Sequence, residues 1–130
     1  MYRKLRPRIL SVDDDPGIGA LMLRLLEETG RYKVAVETDA FRALQTARQF
    51  RPDLVMLDVN MPGQDGLEVA RRIRAEPWLR YRPIIIFTGM PAPLAMQNLA
   101  AGDGPIEYLQ KGVPLEAIVE AVDRCLAAQS

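Results

Sequence analysis

The chain has 130 residues, 48% of them apolar and 26% charged, with seventeen basic residues against seventeen acidic ones. That size and balance fit a single globular domain with a real core, and give no electrostatic drive toward nucleic acid or an anionic membrane. No apolar run nears the ~20 residues of a bilayer span, the lone Cys125 cannot form an internal disulfide, and the absence of histidine excludes His-based triads, the usual zinc sites and an intrinsic phosphohistidine.

Tyr2-Arg3-Lys4-Leu5-Arg6-Pro7-Arg8 is basic, short and followed by no signal-like apolar region, so a frayed terminus is expected. Arg8 to Val12 predicts a buried strand running straight into Asp13-Asp14-Asp15-Pro16. Pro16 suits the first position of a helix with Asp15 as N-cap; Ile18, Leu21, Met22, Leu25 and Leu26 line one face, and Gly30 closes it. Val34 and Val36 carry a short second strand. Thr38-Asp39 caps a helix over Ala40 to Gln49, with Phe41, Leu44 and Ala47 as its apolar side.

Leu54 to Leu57 is an unbroken apolar run, as expected of a strand buried on both faces of a parallel sheet. Asp58 follows at once, and Pro62, Gly63 and Asp65-Gly66 then break the strand. The next helix pattern begins too late for Asp58 to cap it. It covers Leu67 to Ala75, buries Val69, Ala70 and Ile73, and stops before Pro77. Trp78 and Tyr81 in the following turn are expected to pack locally. Pro83 to Phe87 is a fourth buried strand ending at Thr88-Gly89. Pro91 and Pro93 weaken the start of a short helix from about Leu94 to Ala101, and Gly102-Asp103-Gly104-Pro105 forms a loop. Ile106 to Gln110 is a fifth strand ending at Lys111-Gly112. The last helix starts at Pro114 and buries Leu115, Ile118, Val119, Val122 and Leu126, with Cys125 as a small core residue.

Five strands alternating with five helices predict an α/β domain, a doubly wound five-stranded parallel sheet. Parallel strands gather their carboxyl ends on one rim, where ligands of such sheets bind. That rim would collect Asp13, Asp14, Asp58, Thr88 and Lys111. Crowded carboxylates raise one another's pKa, and a divalent cation resolves the repulsion. Oxygen ligands without His or Cys favour magnesium, which keeps several waters and accepts phosphate oxygens. Lys111 adds a point charge for a phosphoryl group, Thr88 a hydroxyl donor, and one carboxylate could attack phosphorus to give an acyl phosphate.

Four segments, Ile9-Leu10-Ser11-Val12-Asp13-Asp14-Asp15-Pro16, Asp58-Val59-Asn60-Met61-Pro62-Gly63, Phe87-Thr88-Gly89 and Tyr108-Leu109-Gln110-Lys111, occur in this order at these spacings. Together they resemble the receiver domain of the two-component response-regulator family, from Arg8 to Leu126. The resemblance implies a flavodoxin-like fold with strand order 2-1-3-4-5, a short basic tail over residues 1–8 and the receiver domain over 9–128. It implies Asp58 as phosphoacceptor and a magnesium site made of Asp13, Asp14, Asp58 and the main-chain carbonyl of Asn60, with Asp14 binding directly and Asp13 mainly through water. Thr88 and Lys111 would hold the phosphoryl oxygens, Tyr108 would report the switch, and Gly89 would leave room for the phosphoryl group.

The implied partners are a sensor histidine kinase or histidine phosphotransfer protein, and a protein target at the surface of the fourth helix, fifth strand and fifth helix. No direct nucleic-acid or membrane contact, a cytoplasmic location and a monomer or weak dimer are expected. Output would be by protein contact, since the sequence stops soon after the last helix. The phosphoryl group would also be lost slowly by self-catalysed hydrolysis. Three departures stand out. Gly112 occupies the family's usual proline position, which predicts a trans Lys111–Gly112 bond; Pro91 and Pro93 sit where the fourth helix begins; and Gly104-Pro105-Ile106 lengthens the loop before Tyr108.

Two other readings fit parts of the pattern. A phosphohydrolase working through an aspartyl phosphate would need a second aspartate two residues after the nucleophile, where Asn60 stands. A phosphorylation-independent interaction module of the same fold would not need the complete rim set.

Overall fold

The structure is a computed structural model and describes residues 6–91 and 104–129. Strands β1 (Arg8–Val12), β2 (Lys33–Glu37), β3 (Leu54–Leu57), β4 (Ile84–Thr88) and β5 (Ile106–Gln110) form one parallel sheet. Its order is β2-β1-β3-β4-β5, as expected from the family resemblance. A two-residue antiparallel hairpin pairs Asn60–Met61 with Gln64–Asp65. The described α-helices are α1 (Pro16–Glu27), α2 (Ala43–Phe50), α3 (Gly66–Ala75) and α4 (Leu115–Ala127). The helix expected over Leu94 to Ala101 lies outside the described residues. Among the described residues no helix is long and apolar enough to cross a membrane.

The central strand explains the layering. All four residues of β3 are buried, because successive side chains point to opposite faces and both faces are covered. Val55 and Leu57 join Leu10, Val12, Ile84 and Ile86 in one core, closed by Ala43 and Ala47 of α2 and Val69, Ala70 and Ile73 of α3. Leu54 and Met56 join Ile9, Ile85 and Phe87 in the other, closed by Met22 and Leu26 of α1 and Ile118, Ala121 and Val122 of α4. The chain leaves β1 toward β2 on one side, while β3 lies on its other side. The crevice between the ends of β1 and β3 is therefore the topological switch point of the sheet.

Helix starts follow the sequence signals. Asp15 Oδ1 accepts from the Gly17 N–H (2.8 Å) and Asp65 Oδ1 from the Leu67 N–H (3.0 Å), with Pro16 opening α1. Two helix faces differ from expectation. Phe41 is 72% exposed, because Asp39 caps a 3₁₀ turn over Ala40–Arg42 before α2 begins. Three residues per turn instead of 3.6 puts Phe41 out of phase with the buried Ala43 and Ala47, leaving Leu44 half-buried. Leu115, the first residue of α4, is also exposed, and the buried stripe is Ile118, Ala121, Val122 and Cys125 instead, with Val119 and Leu126 half-buried.

The altered loop before β5 is held by a buried arginine. The guanidinium of Arg74 donates to the carbonyls of Arg80 (2.9 Å), Gly104 (2.8 Å) and Pro105 (2.7 Å), and to that of Arg82. Gly104 is required there, since a Cβ would come 2.4 Å from the Tyr81 carbonyl. At the other end of β5 the Lys111–Gly112 bond is trans, as expected, and Gly112 takes φ +100.

Cys125 packs in the core and donates to a Glu107 carboxylate oxygen at 2.9 Å. Burial first, and that hydrogen bond second, push its thiol from 9.0 up to about 12. The native chain should therefore resist alkylation by iodoacetamide at pH 8.5, with rapid modification only in denaturant. Equal rates in the two conditions would contradict this placement. Since the unfolded thiol ionises first, this group's share of stability is intact below pH 9 and declines as pH rises toward 12.

Candidate phosphoacceptor and metal site

Asp13 and Asp58 each follow the last residue of a central strand, β1 and β3, and lie side by side at the switch point. The Asp58 N–H donates to Val12 O at 3.0 Å, which fixes the two strand ends in register. Both side chains are buried, at 2% and 4% exposure, whereas Asp14 is exposed. One carboxylate oxygen from each of Asp13, Asp14 and Asp58 lies within 4.8 Å of the others.

Lys111 reaches this group from the end of β5. Its Nζ donates to Asp58 Oδ2 at 3.0 Å and lies 2.8 Å from Asp13 Oδ2. Its own main chain is anchored beside β4, the Lys111 N–H donating to Thr88 O at 2.9 Å. Asp58 Oδ1 accepts from the Asn60 N–H at 2.9 Å, and Asp13 Oδ1 from the Asp15 N–H at 2.9 Å. Burial raises the Asp13 pKa; the Lys111 and Asp15 hydrogen bonds oppose it without cancelling it, and repulsion from Asp58 is a smaller contribution. Burial, more than crowding, thus governs this carboxylate. For Lys111, burial would lower the pKa, but hydrogen bonds to Asp13 and Asp58 overcome that and hold it raised.

The donor set fits a hard divalent cation. Asp13 Oδ2 is buried, and its close polar neighbour is the Lys111 ammonium at 2.8 Å, which leaves lone pairs for a cation. Three carboxylates cluster there, two of them paired with the single Lys111, so the cluster keeps a negative excess and unused oxygen lone pairs.

Thr88 ends β4 and is fully buried. Its Oγ1 accepts from the Met90 N–H at 3.4 Å, while the Tyr108 hydroxyl donates to Met90 O at 2.5 Å. The Met90 main chain therefore bridges the two residues expected to switch together. The sequence gives no sign of this link, because a backbone contact leaves no trace in residue type. A Cβ added at Gly89 meets nothing within 4 Å, so the space beside Thr88 is open.

Gly66 was also missed. At the start of α3, a Cβ there would come 2.2 Å from Val59 Cα and 2.6 Å from Val59 O. The helix is thus seated directly on the main chain between Asp58 and Asn60. Gly66→Ala should lower stability by about 1–3 kcal/mol through overpacking, although alanine is normally the better helix former by about 1 kcal/mol. Thermal unfolding checks this, and an unchanged or raised midpoint would contradict it.

Residues 9–123 match the family model described as the response regulator receiver domain. The DNA-binding response regulator MtrA of Mycolicibacterium smegmatis is 40% identical over 118 residues, covering 91% of this chain and 50% of that protein. The response regulator GacA of Pseudomonas aeruginosa is 33% identical over 125 residues, 94% of this chain and 56% of that one. This chain thus spans about half the length of the curated relatives it matches. Among solved structures, the chemotaxis protein CheY4 of Vibrio cholerae superposes with a TM-score of 0.83 at 28% identity, over 93% of this chain and 99% of that one. The receiver domain of the sensor histidine kinase PA1611 of Pseudomonas aeruginosa, described with a magnesium ion coordinated in its active site cleft, gives 0.79 at 26% identity over 94% and 98%. Fold, rim residues and relatives agree, and the chain belongs to the response regulator receiver domain family.

Proposed function

We propose that this receiver domain is a phosphoacceptor switch in which Asp58 takes a phosphoryl group from a phosphohistidine on a sensor kinase or phosphotransfer protein. The observation that carries the reading is the convergence of buried Asp13, buried Asp58 and Lys111 at one strand edge. An Asp58 carboxylate oxygen attacks phosphorus; the new P–O bond forms as the P–N bond breaks, and the imidazole leaves with its electron pair and takes up a proton. Lys111, already charged and aimed at Asp58 Oδ2, pairs with the incoming phosphoryl oxygens. The Asn60 N–H holds Asp58 Oδ1 and so fixes the carboxylate plane.

Magnesium would be held by the carboxylates of Asp13, Asp14 and Asp58 with the Asn60 carbonyl. When bound it neutralises the carboxylates and offers positions to phosphoryl oxygens. These 130 residues contain no histidine, so the phosphohistidine donor lies outside them.

Output would follow from the Thr88–Met90–Tyr108 chain of contacts. A Thr88 hydroxyl drawn to a phosphoryl oxygen gives up the Met90 N–H, which loosens the backbone that Tyr108 holds. Biasing such a switch from mostly off to mostly on needs about 5 kcal/mol, which two or three charge-assisted bonds of about 1.5–3 kcal/mol each supply. The surface around Tyr108 and α4 would then meet a protein target. Residues 9–128 carry the working unit, in the cytoplasm and without nucleic-acid contact of their own; of the preceding basic segment expected as a tail, Arg8 is already paired in β1.

Incubation with acetyl phosphate and magnesium should add one phosphoryl group to the intact mass. The adduct should be removed by hydroxylamine and should not form in EDTA. An adduct stable to hydroxylamine, or formed equally in EDTA, would overturn the reading.

A further inference from the structure

The amino edge of the sheet, opposite the acidic rim, carries arginines and aromatics. Arg51 follows α2, and its guanidinium carbon lies 5.7 Å from the centre of the Trp78 ring. Tyr81 is 58% exposed and Trp78 37% exposed, and the Arg80 guanidinium sits 5.4 Å from the Tyr81 ring. Arg48 and Arg82 flank them, Arg48 paired to Glu76 (2.6 Å) and Arg82 near Asp53 (3.9 Å). Arg51 meets no carboxylate among the described residues.

The Arg51 backbone adds a second observation. It takes φ 54 and ψ 63, the one described non-glycine residue with positive φ. A helix end of this kind favours glycine. Here an arginine stands in its place and delivers its charge onto an exposed indole.

We propose that this edge is a docking surface for an acidic segment of another protein. Arg51 would meet a carboxylate through its planar fork, and Trp78 and Tyr81 would supply apolar area beside it. Tryptophan, tyrosine and arginine are the residue types that dominate protein–protein hot spots. Nucleic acid fits less well, because Arg51 already covers the indole face that a base would stack on. The surface lies at the starts of β3 and β4, whereas Asp58 and Thr88 lie at their other ends, so docking here leaves the phosphoacceptor rim open.

Trp78 is the only tryptophan of the chain, so its emission reports directly on this edge. The full chain would be titrated with a peptide of glutamates interrupted by phenylalanines, and with the same peptide carrying glutamines for glutamates. We expect a saturable emission change with the glutamate peptide alone, weakening in added salt. Arg51→Gly should weaken binding at least about fivefold while leaving the thermal midpoint equal or higher, since glycine relieves the left-handed backbone. Arg51→Asn, which also tolerates that backbone, should behave alike. No saturable change by ~1 mM peptide, equal binding of the glutamine peptide, or parental affinity in both variants would overturn the proposal. Tighter binding of single-stranded oligothymidylate than of the glutamate peptide would overturn it in favour of nucleic acid.

Discussion

Asp58→Asn is expected to reduce phosphoryl uptake from acetyl phosphate below about one part in a hundred of the parent rate, the usual outcome of losing a nucleophile. The fold should be kept. Asparagine has nearly the same shape and retains an oxygen for the Asn60 N–H, which donates to Asp58 Oδ1 at 2.9 Å. Its amide has no charge with which to attack phosphorus. The change also removes one of the carboxylates around Lys111, leaving the lysine paired with Asp13. Stability should therefore stay within about 1 kcal/mol of the parent or rise slightly. Intact mass after incubation tests the chemistry, and urea denaturation tests the fold. Undiminished uptake in a folded Asp58→Asn chain would move the phosphoacceptor to another residue.

Lys111→Met should have the opposite profile, damaging both chemistry and fold. Without its ammonium, buried Asp13 and Asp58 face each other with no positive charge between them. Breaking a buried ion pair by removing one partner costs about 3–5 kcal/mol, and Lys111 is partly exposed, which places the expected loss near the lower figure. The loss should depend on pH in a fixed direction. Burial already raises the Asp13 pKa, and the Lys111 hydrogen bond is the largest influence opposing it. Its removal raises that pKa further. Between the ordinary carboxylate value and the raised native one, the folded chain holds a proton that the unfolded chain has released. Stability is then intact below the ordinary value and falls as pH rises through that interval. The deficit of Lys111→Met relative to the parent should be larger at pH 7 than at pH 4. Denaturation in EDTA at both pH values checks this, and a deficit that grows on acidification would contradict the geometry.

Much of the domain was legible in the sequence because its determinants are local or periodic. The largely apolar runs at Ile9–Val12, Leu54–Leu57 and Ile84–Phe87, short and bounded by Pro, Gly or Asp, read as strands covered on both faces. Asp15 and Asp65 announce helix starts through hydrogen bonds made two residues onward. Asp13, Asp58, Thr88 and Lys111 each sit where a strand gives out, so a parallel sheet brings them to one rim whatever its finer details. The misreadings at Phe41 and Leu115 fell at helix starts. There a 3₁₀ turn or an N-terminal position alters the phase that an ideal helix would give.

Residue type and spacing fixed which groups meet at the rim, since strand ends and charge patterns are written in consecutive residues. Tertiary structure alone decided how they meet. It set burial of Asp13 above repulsion from Asp58 as the main influence on that carboxylate, made the Met90 backbone the link between Thr88 and Tyr108, and seated α3 on Val59 through Gly66. These depend on distances between segments far apart along the chain and on backbone atoms common to every residue, and such quantities exist only once the chain is packed.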